Sequence, residues 1–415
     1  MKAEIISVGT ELLLGDILNS DAQYLSKQLS SLGIEMYHQS VVGDNAKRLE
    51  EVMTEAFSRS DIVITSGGLG PTEDDLTKET GCKYFGKKLV EDKKALEMLK
   101  DYFARINRPM TENNFKQALV PDGSIVLYNN NGTAPGIIID SNKKILAMLP
   151  GPPRELIPMF EEYVKPYLAS KQEYVFVSRV LRVSKIGEST TEYLLRDLID
   201  NQTNPTIATY VKNIEVIVRL TAKAKTIEEA NSLIDPVSEE IHKRLGDNLY
   251  AEGNTTISEV VCKKLIEKNL TVAVSESCTG GLVSSAFTDV AGISKVFIEG
   301  AVTYCEDAKI RRLGVKRETI DKYGVVSVQV AAEMAEGIAK TSGSYIGIST
   351  TGIAGPSGGT PEKPVGTVCI GLRIGSRTIT RQMHFNGKRE TVRARAVDAV
   401  FDLLRRELEK EEQID

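Results

Sequence analysis

The segment Asp61-Ile62-Val63-Ile64-Thr65 constrains the fold more than any other part of this chain. It is apolar without alternation and opens directly into Gly67-Gly68-Leu69-Gly70-Pro71. A strand with one wetted face alternates apolar and polar residues. A continuous apolar run belongs in a parallel sheet covered by helices on both faces. Ligands in such sheets bind outside the carboxyl ends of the strands, which is where this glycine loop falls. Thr271–Val274 leads in the same way into Glu276-Ser277-Cys278-Thr279-Gly280-Gly281, and Tyr345–Ser349 into Thr350-Thr351-Gly352-Ile353-Ala354-Gly355-Pro356. The fold class expected is α/β. At 415 residues the chain is too long for one core, and two or three domains are expected.

Three stretches differ in character. In the first, Ala3–Val8 reads as a strand, Ser20 as a helix cap with Gln23 completing a capping box, and Gly33 as the stop. Leu49, Val52, Met53, Ala56 and Phe57 share one helical face. Gly136–Asp140 and Lys144–Leu149 read as a hairpin turning at Ser141-Asn142-Lys143, and Pro150-Gly151-Pro152-Pro153 breaks the chain before another helix. In the second stretch, Val175–Val183 and Ile214–Thr221 are strand-like, each followed by helix, with no glycine loop or acidic cluster. No Gly-x-x-Gly clamp occurs between 170 and 250, so a structural spacer is expected there rather than an RNA-binding module. The polar turn Ala251–Thr256 opens the third stretch. There Thr279–Val290 is expected to be helical, and Val392, Ala396, Ala399, Val400, Leu403 and Leu404 form the apolar face of a terminal helix whose charged tail, Glu407–Asp415, is expected to fray. The expected domains are 1–169, 170–251 and 252–415.

Charge and composition exclude several classes. There are 57 acidic and 52 basic residues, a net charge of −5, which argues against general affinity for nucleic acid or anionic membrane. No apolar run is long enough to span a bilayer, and the N-terminus lacks the pattern of a signal peptide. Five cysteines without a Cys-x-x-Cys pair fit a reducing cytoplasm, the expected location. The three histidines, His38, His242 and His384, lie outside every motif, which disfavours a zinc site or a Ser-His-Asp triad.

Without histidine, the third stretch offers serine and lysine for amide hydrolysis. Serine needs an adjacent base, and lysine can serve when burial lowers its pKa. Lys295 and Lys309, the first two lysines that follow Ser277, are the candidates, and Ser277 sits at a strand-to-helix turn. The N–H groups of Thr279, Gly280 and Gly281 are expected to face an oxyanion or a substrate phosphate. Cys278 has no visible activator and reads as a buried small side chain.

In the first stretch, Gly67, Gly68, Gly70 and Thr72 lead into Glu73-Asp74-Asp75-Leu76-Thr77-Lys78-Glu79. Loop amides cradle phosphate oxygens, and carboxylates beside them require a divalent cation in between. Asp74 and Asp75 are the expected metal ligands, for Mg²⁺ or a transition metal. A glycine turn followed by an acidic helix start, favourable for the macrodipole, explains the same residues without a ligand.

These motifs resemble the competence/damage-inducible protein A (CinA) family along the whole chain. Residues 252–410 are similar to its nicotinamide mononucleotide amidohydrolase domain, carried by Glu276–Gly281, Gly292-Ile293-Ser294-Lys295, Val302-Thr303-Tyr304 with Lys309, and Thr350–Pro356. The resemblance implies roles for Ser277, Ser294, Tyr304, Lys309, Thr351 and Arg393, with Ser294 and Lys309 as the preferred nucleophile and base, Tyr304 as proton relay, and Ser277, Thr351, Gly352 and Arg393 holding substrate. Ile293 stands where a serine is common in relatives. The first stretch is similar to the molybdopterin-binding fold, through Asp75, Thr77 and Glu79, Gly9-Thr10-Glu11, and Gly132-Thr133-Ala134-Pro135. Thr10, Glu11, Gly132, Thr133 and Pro135 are thereby implied in substrate binding, and Asp75 in catalysis. Asp74 stands where a basic residue is frequent. The middle stretch resembles the family's KH-like domain. The implied protein is a three-domain hydrolase that deamidates nicotinamide mononucleotide without metal and splits ADP-ribose into AMP and ribose 5-phosphate with a divalent cation. It would act as a homodimer, with no membrane partner and no strong nucleic-acid binding. Two alternatives stay open: an N-terminal domain that only binds a pterin or nucleotide, and a non-enzymatic scaffold in competence or recombination.

Overall fold

A computed structural model of the chain describes residues 1–212 and 215–412. Packing divides it into two compact units: Met1–Ser178 with Thr221–Ile234, and Arg179–Leu220 with residues 235 onward.

The first unit is built on a six-stranded sheet in the order Glu35–Val42, Lys2–Val8, Ile62–Ser66, Lys144–Leu149, Gly136–Ser141, Ile125–Leu127. The first four strands are mutually parallel and the last two antiparallel. Alternate residues feed two separate cores. Ile5, Ile64, Ala147 and Leu149 pack on one face, and Ile6, Val63, Leu146 and Met148 on the other. The unbroken apolar run at Ile62–Ile64 is thus explained by burial on both faces. The expected hairpin is present, with Asn142 and Lys143 at φ 54° and 62°, the left-handed pair that a two-residue turn requires.

One expectation at the first helix is corrected. Ser20–Ser31 is capped by Asn19, whose Oδ1 accepts the Ala22 N–H at 3.1 Å, and not by a Ser20–Gln23 box. Asn19 is held ready for this by its amide N–H bond to Ser7 Oγ at 3.0 Å.

Residues 175–252 contribute a four-stranded sheet in the order Thr206–Lys212, Glu215–Ala224, Val175–Val183, Leu249–Glu252. Ile214, placed in a strand by sequence, lies outside the described residues.

The second unit contains a five-stranded sheet in the order Phe297–Val302, Val272–Glu276, Ile346–Gly352, Thr367–Ile374, Arg377–His384. The first three strands are parallel and the last two antiparallel. Val272, Val274, Ile346 and Ile348 pack with the terminal helix Arg389–Glu412 on one face. Ala273 faces Leu313, Val330, Met334 and Ile338 on the other. The tail expectation is corrected: the helix runs on to Glu412, with Glu407 and Leu408 buried, because Lys410 and Arg377 pair with the Glu407 carboxylate. Residues 413–415 of that tail lie outside the described residues. Among the described residues no helix is long and apolar enough to cross a membrane.

Candidate active sites

In both units the motif residues gather at the carboxyl ends of parallel strands, as the topology of an open α/β sheet dictates. In the second unit, strand pairing continues past the strand ends. Ser277 N–H donates to the Thr350 carbonyl at 2.9 Å, and Thr303 N–H to the Glu276 carbonyl at 2.8 Å. Ser277 is therefore fixed between the chains at Thr303 and Thr350.

Lys309 reaches this point from the helix Glu306–Leu313 and is fully buried. Its Nζ donates to the carbonyls of Thr303 at 2.7 Å and Tyr304 at 3.1 Å, and lies 3.1 Å from Ser277 Oγ. Burial holds its pKa below the usual lysine value, against weaker opposing pulls from Cys305, Cys278 and Glu306. A neutral amine has two N–H groups and one lone pair. With both N–H groups on carbonyls, the lone pair is left facing the Ser277 hydroxyl.

The turn that presents Ser277 is held by Glu276, a fully buried carboxylate. It accepts the N–H groups of Gly281 (2.9 Å), Val283 (3.1 Å) and Ser284 (2.8 Å) and the Ser284 hydroxyl (2.7 Å). Two expectations are corrected here. The helix begins at Leu282 and ends at Thr288, because Gly280 and Gly281 adopt φ of 60° and 97°. The Gly280 and Gly281 amides do not face a substrate anion: Gly280 N–H donates to the Ser277 carbonyl at 3.1 Å and Gly281 N–H to Glu276. The helix start already has its anion, supplied from within the chain.

The remaining predicted residues divide. Thr279 is buried, its hydroxyl against that of Thr350 at 2.7 Å, and its carbonyl accepts Nε and Nη2 of Arg393 at 3.2 and 2.7 Å. Arg393 therefore braces the turn. Thr351 is buried with its hydroxyl donating to the Val325 carbonyl at 2.9 Å. Gly352 pairs with Val368, and a Cβ there would meet the Thr367 carbonyl oxygen at 2.7 Å. Tyr304 is exposed, and its hydroxyl accepts Arg389 Nη2 at 3.2 Å, while Arg389 Nη1 donates to the Gly355 carbonyl at 2.8 Å. Arg389 was not singled out by sequence, since an arginine at a helix start carries no motif of its own.

Ser294 is not brought to Lys309 within the chain. It is exposed on the single turn Ile293–Lys295, which precedes the strand Phe297–Val302, whereas Thr303 and Lys309 follow that strand. At ~3.3 Å per residue the strand separates the two ends by roughly 17 Å. The preferred pairing of Ser294 with Lys309 is replaced, within one chain, by Ser277 with Lys309.

In the first unit, Gly67, Gly68, Gly70, Thr72, Asp74 and Asp75 line one cavity of about 360 Å³ with Glu11 and Thr133. Gly67 has φ 97° and a Cβ there would meet the Val8 carbonyl oxygen at 2.2 Å, so only glycine fits. Thr77 Oγ1 donates to the Gly67 carbonyl at 2.9 Å and Thr77 N–H to that of Gly68 at 3.1 Å. Asp75 Oδ2 accepts the Thr72 amide at 2.9 Å and the Thr72 hydroxyl, which folds the acidic loop on itself. Lys116 fastens the same loop, donating to the carbonyls of Thr72 and Asp75. Of the other predicted residues, Thr10 bonds Asp44 Oδ2 through both N–H and hydroxyl at 2.9 Å, Gly132 faces a smaller cavity, and Pro135 is buried beside Ala134. Sequence reading missed Asp44, Gln117 and Glu155 on the cavity wall. They come from a loop, the 3-10 helix Glu112–Ala118 and the helix Pro153–Met159 respectively, and no local spacing links them.

Among the described residues five carboxylates, Glu11, Asp44, Asp74, Asp75 and Glu155, line this cavity and no lysine, arginine or histidine does. Burial raises the Glu155 pKa, opposed by its bond from Asn129. Among the described residues no three carboxylate, thiolate or imidazole groups are gathered into a ready cage. That donor set fits a hard divalent cation of the Mg²⁺ kind, which uses one or two carboxylates and completes its shell with phosphate oxygens. It does not fit a transition metal that prefers nitrogen or sulfur.

Known proteins share this arrangement of domains. Residues 4–170 match the model for a probable molybdopterin binding domain, 178–251 that for the damage-inducible protein CinA KH domain, and 254–408 that for the CinA C-terminal domain. The chain is 56% identical to a provisionally named competence-damage inducible protein of Clostridium acetobutylicum, over 98% of this chain and 99% of that protein. It is 55% identical to one from Clostridioides difficile, over 99% and 100%. Among solved structures, a competence-damaged protein (CinA) superfamily member from Escherichia coli is 36% identical over 36% of this chain and 87% of its own, with a TM-score of 0.35.

Proposed function

The chain belongs to the CinA family, and from that premise we propose that it is a bifunctional pyridine-nucleotide hydrolase. Its C-terminal site deamidates nicotinamide mononucleotide to nicotinate mononucleotide and ammonia. The observation that carries this reading is the buried Lys309 amine, bonded to two carbonyls and 3.1 Å from Ser277 Oγ.

Lys309 takes the hydroxyl proton as Ser277 Oγ attacks the carboxamide carbon. The C–N bond then breaks, the proton passes from Lys309 to the leaving nitrogen, and ammonia departs from an ester on Ser277. A water attacks that ester with Lys309 again as base, releasing the carboxylate and restoring the serine. Two carbonyls at fixed distance hold the amine in place throughout. The Gly280 and Gly281 amides are already bonded within the turn and are not available to the oxyanion. The test is ammonia release from nicotinamide mononucleotide in the presence of chelator. Turnover should persist in wild type and vanish in Ser277→Ala; a wild type with no turnover rejects the reading.

The N-terminal site hydrolyses the pyrophosphate of ADP-ribose. The support is an anion-cradling glycine loop set against five carboxylates, a combination that accepts phosphate only with a cation between. Asp74 and the Asp75 oxygen not bonded to Thr72 would hold the metal, which supplies charge neutralisation and polarises phosphorus. Lys116 keeps the loop that carries both carboxylates in register. The test is AMP formation from ADP-ribose with and without Mg²⁺. A chain that binds ADP-ribose but never splits it would favour a domain that only binds its nucleotide.

A further inference from the structure

The acidic cavity of the first unit is lined by one hydroxyl whose orientation is set from outside it. Thr133 and Gln117 both line the cavity, and Gln117 Nε2 donates to Thr133 Oγ1 at 3.0 Å. A hydroxyl carries a single proton. With its oxygen accepting from Gln117, that proton is left to donate, and among the described residues no group takes it.

The direction of the Gln117–Thr133 bond is fixed by a backbone group. Thr111 opens the 3-10 helix Glu112–Ala118, and its N–H donates to Asn114 Oδ1 at 3.1 Å. A backbone N–H only donates, so Asn114 turns its oxygen to Thr111 and its amino group to Gln117. Asn114 Nδ2 donates to Gln117 Oε1 at 3.5 Å, which leaves the Gln117 amino group for Thr133. Asn114 and Gln117 are 8% and 1% exposed, so water does not compete for these bonds. The backbone around Gln117 is pinned as well. Lys78 Nζ, at the end of a buried side chain, donates to the carbonyls of Lys116 at 2.6 Å and Leu119 at 3.0 Å.

We propose that Gln117 is a positioning residue of the N-terminal site, holding the Thr133 hydroxyl so that its proton is free for a phosphate oxygen of the substrate. The inference rests on reading that site as one that takes a pyrophosphate. Among the described residues five carboxylates and no basic side chain line the cavity, so an anion entering it needs neutral donors beside its cation. A hydroxyl turned the other way, donating to its neighbour, would offer the phosphate only lone pairs. The chain of amides from Thr111 excludes that orientation.

Calorimetric binding of α,β-methylene ADP-ribose, whose bridge cannot be hydrolysed, to the full-length chain with Mg²⁺ tests this. Thr133→Val should weaken binding about tenfold, the loss of one bond to a charged group. Thr133→Ser, which restores the hydroxyl, should recover most of that loss. Gln117→Met, similar in length but without a donor, should weaken binding several-fold when Thr133 is present. In the Thr133→Val background it should have no effect, because no hydroxyl is left to orient. Gln117→Glu, which accepts where Gln117 donates, is measured in the same two backgrounds, so that its added charge cancels, and should show the same dependence on Thr133. A Gln117 that only supports the fold would lower affinity equally in both backgrounds. That result, undiminished binding by Thr133→Val, or no binding by wild type overturns the proposal. ADP-ribose turnover is followed separately. The expected binding pattern without turnover removes the pyrophosphatase reading and leaves the positioning role standing, and turnover with equal losses in both backgrounds does the reverse.

Discussion

Lys309 Nζ and Ser277 Oγ lie 3.1 Å apart at the carboxyl end of the second unit's sheet, joined from two elements 32 residues apart in sequence. The same lysine is separated from Ser294 by the full length of the strand Phe297–Val302. Replacing each serine by alanine distinguishes them. Ser277→Ala should lower kcat for the amide by roughly 10³-fold or more, and Ser294→Ala should stay within about threefold of wild type. The reverse order would sink a dyad formed within one chain.

The rate should depend on pH through Lys309. Its pKa is lowered by burial, so the neutral amine, which is the base, becomes populated at lower pH than in a free lysine. kcat/KM should therefore climb as pH rises and level off below the ordinary lysine value of about 10.4. Lys309→Arg should not restore activity, since guanidinium stays protonated. A profile flat from about pH 6 to 10 would remove Lys309 as the base.

Glu276 orders the turn without touching substrate. Glu276→Gln replaces a carboxylate that accepts four bonds by an amide with one accepting oxygen. A loss of about 1–3 kcal/mol in stability is expected, read by denaturant unfolding, along with most of the amidase activity. Unchanged stability would mean that the helix amides find other acceptors.

Lys116 donates to the carbonyls of Thr72 and Asp75 and holds the acidic loop over its glycines. Lys116→Met should raise the Mg²⁺ concentration needed for half-maximal ADP-ribose hydrolysis several-fold while leaving nicotinamide mononucleotide deamidation at its wild-type rate. Removing the divalent cation should divide the two activities in the same way. An amidase that fails with chelator, or a pyrophosphatase that survives it, contradicts the assignment.

Asp398 on the terminal helix is pushed up to about 7 by burial, with Asp402 and Glu215 adding to the rise. Between the unfolded carboxyl value of about 3.9 and this one, the folded chain holds more protons than the unfolded chain, so this residue's contribution to stability falls as pH rises through that window. Asp398→Asn should flatten the fall, with a higher melting temperature than wild type at pH 8 and little difference at pH 4. Parallel curves for the two proteins would show the carboxyl to be ionised throughout.

Much of this was legible in the chain itself. The apolar run Ile62–Ile64 required a two-sided sheet, and its glycines required a loop at the carboxyl end, because backbone geometry and burial act over neighbouring residues. Motif order marked the stretches in which both sites lie. Local spacing pointed to the wrong serine, because Ser294 lies nearer to Lys309 in sequence than Ser277 does, and only the direction of the strand Phe297–Val302 carries it away. It could not tell that the Gly281 amide already has an acceptor in Glu276, or that Asp44, Gln117 and Glu155 converge on one cavity from separate segments. The sequence by itself determined the elements and the chemical groups available to them. Tertiary structure alone decided which groups meet, since a hydrogen bond depends on distances of a few ångströms that strand order and direction set and residue spacing does not.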